Sequence, residues 1–398
     1  MTAFSFEEAR ACVVREFSQL MRQHPPAIEN VELLAAEGRV LAETVAADRD
    51  YPPTARSVRD GFAVRAADLP GRLMITGEVR AGQTFTGTVG IGETVEIMTG
   101  APMPAGADQV VMVEDVERDG GFVLVSNAPA AGTNFNPRGC EARQGKILLE
   151  PKRLRFADIG LLATLGHSNV NVYRRPRVAV LATGDEVVDI TAMPRPDQVR
   201  NSNAYSLAAQ LHRAGAEPVL LPVARDEYEA TRDLIQRGLA EDLLLLSGGV
   251  SAGKYDIVEK VLADLGAEFF FTRVRIQPGQ PLVFGRVQDK YFFGLPGNPA
   301  STMVTFEVFA RAAVELLSGM PHPMLPLLEA RLTAPFRQKP GLTRFLPATL
   351  GHDGTSITPV AWKGSGDVPA MARSNCFLVS DPHREHYEAG DRIQVLMA

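Results

Sequence analysis

Acidic side chains recur just beyond segments that read as buried β-strands. Asp185 and Glu186 follow Val178-Ala179-Val180-Leu181, and Arg225 and Asp226 follow the Pro218–Val223 segment. A third turn, Ser247-Gly248-Gly249-Val250-Ser251-Ala252-Gly253-Lys254-Tyr255-Asp256, follows four leucines, Leu243–Leu246. A fourth, Leu295-Pro296-Gly297-Asn298-Pro299, opens a long apolar segment. Pro299 suits the first position of a helix, and the free backbone N–H groups behind it form an anion cradle. In an open α/β sheet, ligands bind beyond the carboxyl ends of the strands. Carboxylates beside a phosphate cradle repel phosphate unless a divalent cation lies between them. The arrangement therefore implies Mg²⁺ with oxygen ligands and bridging phosphates.

The turn after Leu246 supports competing readings. Gly248 to Lys254 fits G-x-x-x-x-G-K, but Tyr255 stands where a P-loop needs a Ser or Thr hydroxyl on Mg²⁺. Gly249-Val250-Ser251-Ala252-Gly253 fits G-x-S-x-G, which needs an acid and a histidine later in the chain. His322, His352 and His383 are available, but no HGGG-type oxyanion loop accompanies them. The remaining reading is a glycine-rich turn without chemistry. Acids at three successive strand ends favour a phosphate and metal site over all three. Two further acidic motifs lie elsewhere: Ser57-Val58-Arg59-Asp60-Gly61-Phe62-Ala63, and Asn134-Phe135-Asn136-Pro137-Arg138-Gly139-Cys140-Glu141. Alone, Asp60-Gly61 is a common turn and Glu141 a solvated loop acid.

The elements that must hold these residues are legible from pattern. Ser5-Phe6-Glu7-Glu8 is a capping box opening a helix with Val13, Phe17, Leu20 and Met21 on one face and Pro25-Pro26 as its stop. Fourteen of the 35 glycines lie between Gly61 and Gly145, punctuating short β-branched runs that read as a small all-β module. Those runs include Val110–Val113 and Val123–Val125, with Gly120-Gly121 between them as a hairpin signal. Residues 154–165 read as a helix ending at Gly166. From Arg177 the pattern alternates. Helices are predicted at Ser202–Ala214, Tyr228–Leu239, Asp256–Leu265 and Pro299–Leu317, with strands between them and at Phe269–Phe271 and Tyr291–Phe293. Alternation at this pitch predicts a parallel α/β sheet with right-handed crossovers. Beyond Pro321-His322-Pro323 the chain reads as strands and turns.

The 398 residues carry 41 Lys and Arg against 47 Asp and Glu, a net charge of −6. That balance argues against bulk nucleic-acid binding by long-range attraction. Cys12, Cys140 and Cys376 show no C-x-x-C spacing, which supports neither a disulfide framework nor a zinc knuckle. The four-leucine run is far short of a membrane span. The first ten residues have acids where a signal peptide is basic, which predicts a cytoplasmic protein.

Taken together, the chain resembles the molybdopterin molybdenumtransferase (MoeA) family, related to the gephyrin E domain, over nearly its whole length. The resemblance is carried by Asp60-Gly61-Phe62-Ala63, Thr183-Gly184-Asp185-Glu186, Arg225-Asp226 and Ser247-Gly248-Gly249-Val250-Ser251 with Asp256. Gln277-Pro278-Gly279-Gln280-Pro281 and Leu295-Pro296-Gly297-Asn298-Pro299 complete it. It implies a multidomain α/β plus β fold. Residues 1–47 with 150–176 form a mixed, dimerising N-terminal domain, and residues 48–149 an inserted glycine-rich β arm. Residues 177–322 form the molybdopterin-binding α/β domain, and 323–398 a β-barrel-like C-terminal domain. It further implies an elongated homodimer, other cofactor-biosynthesis proteins and apo-molybdoenzymes as partners, and neither nucleic acid nor membrane. The implied reaction inserts molybdenum from molybdate into adenylylated molybdopterin with release of AMP, dependent on Mg²⁺.

By position, Asp60, Glu186, Asp226 and Asp256 match the family's functional acids, and Glu141 stands where the family usually has Asp. Asp226, Asp256 and Glu186 are the implied metal ligands. Thr183, Gly184, Asp185, Ser247, Gly248, Gly249, Ser251, Lys254, Pro296, Gly297 and Asn298 are the implied cofactor-binding residues. Arg344 and Ser365 resemble positions facing the oxyanion. Gln277 and Gln280 replace lysines frequent in the family, and Lys254 is expected to restore a cation. The dimer is expected to set Asp60 and Glu141 of one subunit against the sheet site of the other. A plain Mg²⁺ pyrophosphatase and a gephyrin-like scaffold are the rival functions. No fused domain or linker is read ahead of Met1, which favours the enzyme over the scaffold.

Overall fold

The computed structural model describes residues 3–127, 130–249 and 257–397. They fall into two compact units, one of Met1–Ala42, Pro151–Ile159 and Ser168–Ala398, the other of Glu43–Glu150 and Gly160–His167. Among the described residues, no helix is long and apolar enough to cross a membrane.

In the first unit, a six-stranded sheet has the spatial order Glu217–Leu220, Arg177–Ala182, Leu243–Ser247, Lys290–Leu295, Pro281–Val287, Glu268–Arg273. The first four strands are mutually parallel, as the alternating pattern predicts. Pro281–Val287 runs antiparallel to both its neighbours, because it joins Lys290–Leu295 through a tight hairpin. The central strands are apolar at every position because both faces are covered. Successive residues go to opposite layers. Val178, Val180, Leu243 and Leu245 pack with the helices Phe6–Gln23, Ser202–Ala214 and the Pro299–Leu317 segment. Ala179, Leu181, Leu244 and Leu246 pack with Tyr228–Leu239 and Ile257–Asp264.

The helix ends follow local chemistry. Ser5 accepts from the Glu8 N–H at 3.1 Å while Glu8 accepts from the Ser5 N–H at 2.7 Å, completing the capping box. Helix Ser202–Ala214 is capped by Asn201 and stopped by Gly215 in the left-handed region. The long helix opens at Pro299 and is interrupted by a π-helical turn, Phe306–Ala310, before resuming at Arg311–Leu317. Glu307 on that turn is buried. It accepts from Gln210 at 2.7 Å, from Arg311 at 3.3 Å and from Arg213, tying the long helix to Ser202–Ala214. Gln210 also donates to the Met303 carbonyl at 3.0 Å.

The C-terminal strands Leu327–Leu332, Thr343–Leu350, Ser356–Pro359, Cys376–Ser380 and Arg392–Met397 close on one another as a five-stranded barrel, which leaves no free edge within the ring. Ile276–Gln277 pairs in parallel with Thr343–Arg344 and joins the barrel to the α/β layer. In the N-terminal part, Ile28–Glu32 pairs antiparallel with Asn169–Tyr173.

The second unit contains a six-stranded sheet ordered Gln109–Met112, Gly61–Val64, Glu93–Ile97, Gly71–Val79, Phe122–Val125, Glu117–Asp119. Gly61–Val64 is buried throughout: Ala63 lies in one apolar layer and Phe62 and Val64 in the other. Gly120-Gly121 does form a hairpin turn, but it joins Phe122–Val125 to Glu117–Asp119, not to the Val110 run. A short 3₁₀ turn at Val113–Asp115 ends that run first. The helix read at 154–165 spans Phe156–Thr164.

Candidate active site at the strand ends

Hydrogen bonds align the three strand ends. The Thr183 N–H donates to the Ser247 carbonyl at 3.1 Å, and the Gly248 N–H to the Leu295 carbonyl at 3.2 Å. Thr183 also bridges to Ala224, and the Gly184 N–H donates to the Ala224 carbonyl at 3.0 Å. Gly184 has φ +131°, and a Cβ there would lie 2.5 Å from a Glu186 carboxylate oxygen. Only glycine allows the turn to carry that carboxylate so close to its own backbone.

These ends open into a cavity of about 610 Å³, lined in part by Thr183, Glu186, Ser247, Gly248, Gly297 and Asn298. Six of the residues implicated from sequence therefore share one cavity. Asp185 and Asp226 belong to the adjoining turns. The Asp226 N–H donates to Asp185 Oδ1 at 3.2 Å, and Arg225 donates to the Asp185 carbonyl at 2.7 Å. Burial, reinforced by the like charges of Asp185 and Glu186, pushes the Asp226 carboxyl above the usual carboxylate range. Pro296 accepts from the Thr302 hydroxyl at 2.5 Å, which locks the turn ahead of the helix. Asn298 occupies the cap position without capping through its side chain. Gly249 is described beside Thr183, whereas Ser251, Lys254 and Asp256 lie outside the described residues.

Two residues are placed differently from expectation. Arg344 does not line the cavity. Its guanidinium donates to Gln277 at 2.8 Å, Gln338 at 3.1 Å and the Lys339 carbonyl at 2.6 Å. The barrel strand carrying Arg344 pairs with Ile276–Gln277, so Gln277 occupies the group that a lysine there would repel. Ser365 acts through its backbone. Its carbonyl accepts from the Ala300 N–H at 2.9 Å, so one donor of the expected anion cradle is already engaged. The neighbouring Gly366 and Val368 line the cavity instead.

In the second unit, Asp60 is exposed at the start of the Gly61–Val64 strand. The Thr99 N–H and hydroxyl donate to Oδ1 at 2.6 and 2.8 Å and hold its carboxyl below the usual range. Glu141 is also exposed, its N–H donating to the Tyr51 carbonyl at 3.0 Å.

Sequence reasoning missed Arg200, Asn201, Ser202 and Asn203, which also line the cavity. Arg200 ends the ribbon in which Val187–Val188 pairs with Val199–Arg200, and Asn201, Ser202 and Asn203 open a helix whose predicted start already required the sheet's carboxyl edge. That requirement was the available signal. Asn203 donates to the Ser247 hydroxyl and to the Gly297 carbonyl, both at 2.8 Å, joining two of the strand-end turns.

Comparison with known proteins places the chain. Residues 4–166 match the MoeA N-terminal region (domain I and II), 179–316 the probable molybdopterin binding domain, and 329–397 the MoeA C-terminal region (domain IV). The chain is 35% identical to a molybdopterin molybdenumtransferase of Bacillus subtilis, covering 90% of this chain and 87% of that one. It is 30% identical to the enzyme of that name from Staphylococcus epidermidis, with 99% and 97% covered. The crystal structure of a molybdopterin biosynthesis MoeA protein from Pyrococcus horikosii superposes with a TM-score of 0.76 at 30% identity, covering 100% of this chain and 99% of that one.

Proposed function

Because this chain belongs to the MoeA family of molybdopterin molybdenumtransferases and so acts in molybdenum cofactor biosynthesis, we propose that it transfers molybdenum from molybdate into adenylylated molybdopterin and releases AMP. The observation that carries the reading is the cavity at the carboxyl ends of parallel strands, where Thr183, Glu186, Ser247, Gly248, Gly297 and Asn298 meet.

Mg²⁺ is part of this proposal, with Glu186 and Asp226 as ligands and Asp256 as the third expected from sequence. The donor set fits. The residues are hard oxygen donors, and burial, reinforced by the like charges of Asp185 and Glu186, holds the Asp226 carboxyl above the usual range. No group of three His, Cys, Asp or Glu side chains is poised to hold a metal alone among the described residues. One or two carboxylates completed by substrate phosphates are the ordinary Mg²⁺ set. When bound, the ion neutralises the pyrophosphate and polarises a phosphoryl oxygen. The chain's own residues supply the rest. Arg200 brings a guanidinium to the wall, a group suited to hold a phosphate or oxyanion. The fixed turns hold the substrate in one orientation, which lowers the entropic part of the barrier.

The reading extends to a homodimer in which Asp60 and Glu141 of one subunit serve the site of the other. Mixed dimers of Asp60→Asn and Asp256→Asn chains test that sharing; recovery of no activity would sink it. The central test is AMP release from adenylylated molybdopterin with and without molybdate. Molybdate-dependent release, lost in Asp226→Asn and Asp256→Asn while nucleotide-pterin binding persists, is expected. Release that ignores molybdate would make the protein a pyrophosphatase.

A further inference from the structure

Away from the strand-end cavity, five linked arginines share two carboxylates. Glu307 pairs with Arg213 and Arg311, while Glu315 takes Arg311 at 2.9 Å and the Met324 N–H at 2.8 Å. Both acids are buried with these contacts in place. Arg10 donates to the Val308 carbonyl at 2.8 Å, and Arg153 to the Gly38 and Ala214 carbonyls at 2.8 and 2.9 Å. A guanidinium has five N–H donors, so each keeps several to spare. The Arg175 guanidinium is partly buried and has neither a hydrogen bond nor an ion pair among the described residues. Arg175 stands two residues before strand Arg177–Ala182, and Ala214 ends the helix that leads into Glu217–Leu220. These strands are parallel, so this part of the cluster lies at their amino ends and the cavity at their carboxyl ends.

A guanidinium does not give up its proton, so burying one short of counter-charge costs free energy. Burial lowers Arg10 and Arg153 below the ordinary arginine range. Glu315 opposes that shift, while the like charge of Arg311 adds to it at both residues and that of Arg175 adds to it at Arg153. Five arginines against two acids leave the cluster positive in a chain whose net charge is −6. Water can satisfy the spare N–H groups, but it does not cancel their mutual repulsion. We propose that Arg10, Arg153 and Arg175 bind an anionic group with several oxygens, a phosphate or a carboxylate, at the amino edge of the sheet. Guanidinium forks suit such groups because two N–H donors match two oxygens. Two sources carry this chemistry: free phosphate, and an acidic side chain of a second copy of the chain.

Titration calorimetry of the full chain with inorganic phosphate, and sedimentation of the same samples, test this. Arg175→Gln is the informative variant, because that side chain holds no other residue in place. With free phosphate as the source, Arg175→Gln should weaken phosphate binding about tenfold, the worth of one charge-assisted hydrogen bond, and leave the oligomeric state unchanged. With a second copy as the source, Arg175→Gln should instead weaken self-association about tenfold, and raised salt should do the same. Arg200→Gln, in the strand-end cavity, should leave the Arg175-dependent effect intact, which separates the two sites. Arg232→Gln removes a half-exposed charge from helix Tyr228–Leu239 and should change neither measurement. An Arg175→Gln protein that matches wild type in both measurements, or an equal effect of Arg232→Gln, overturns the proposal.

Discussion

The buried carboxylate of Glu307 makes a quantitative prediction about which partner in an ion cluster matters more. Its side chain is 1% exposed, whereas Arg213 is 49% and Arg311 23% exposed. Glu307→Gln leaves behind cations that water can still reach, and Arg311 keeps its 2.9 Å pair with Glu315. The loss is then limited to charge-assisted hydrogen bonds, roughly 1–2 kcal/mol. Arg213→Ala instead strands an almost fully buried carboxylate with only Gln210 and a 3.3 Å contact to Arg311. Leaving a buried charge short of partners costs more, about 3 kcal/mol. In urea unfolding, at a slope of roughly 3 kcal/mol per molar, the Arg213→Ala midpoint should fall by about 1 M and that of Glu307→Gln by about half as much. The double variant should cost less than the two singles added, because both act on one interaction. A Glu307→Gln loss exceeding that of Arg213→Ala, or strict additivity, would refute the reasoning. The network also ties two helices whose first residues border the cavity, so weakened substrate binding should accompany the larger loss.

Gly61→Ala should unfold the glycine-rich unit, because its Cβ would lie 2.0 Å from the Val111 carbonyl oxygen across the sheet. A cost of about 3 kcal/mol or more, read as a lowered melting transition, is expected. Ser5→Ala should cost about 1 kcal/mol by removing one half of the capping box, measurable as a small midpoint shift. Asp226→Asn should be more stable than wild type at neutral pH in the absence of Mg²⁺. The raised carboxyl binds its proton more tightly folded than unfolded, so its penalty is absent below the unfolded pKa and fully present above the folded one. The stability gap should close as pH falls below about 4, and added Mg²⁺ should narrow it. A gap that is unchanged by pH would remove Asp226 from the cluster.

Much of the architecture is written locally. Helices Phe6–Gln23 and Ser202–Ala214 are readable because caps, stops and apolar spacing act within a few residues. The leucine run Leu243–Leu246 signals a strand covered on both faces, and the strand-end acids follow from strand–turn–helix alternation. What the tertiary structure alone decided involves partners distant in the chain. Asn203 meets Gly297 94 residues away, Arg344 meets Gln277 67 residues away, and Ser365 caps the helix begun at Pro299. No local pattern encodes such contacts, because they exist only once the sheet order and the closed barrel bring separate segments together. The identities of the acids were thus local information. The cavity in which Glu186 meets Thr183, Ser247, Gly248, Gly297 and Asn298, and the diversion of Arg344 and Ser365 to other partners, were consequences of packing.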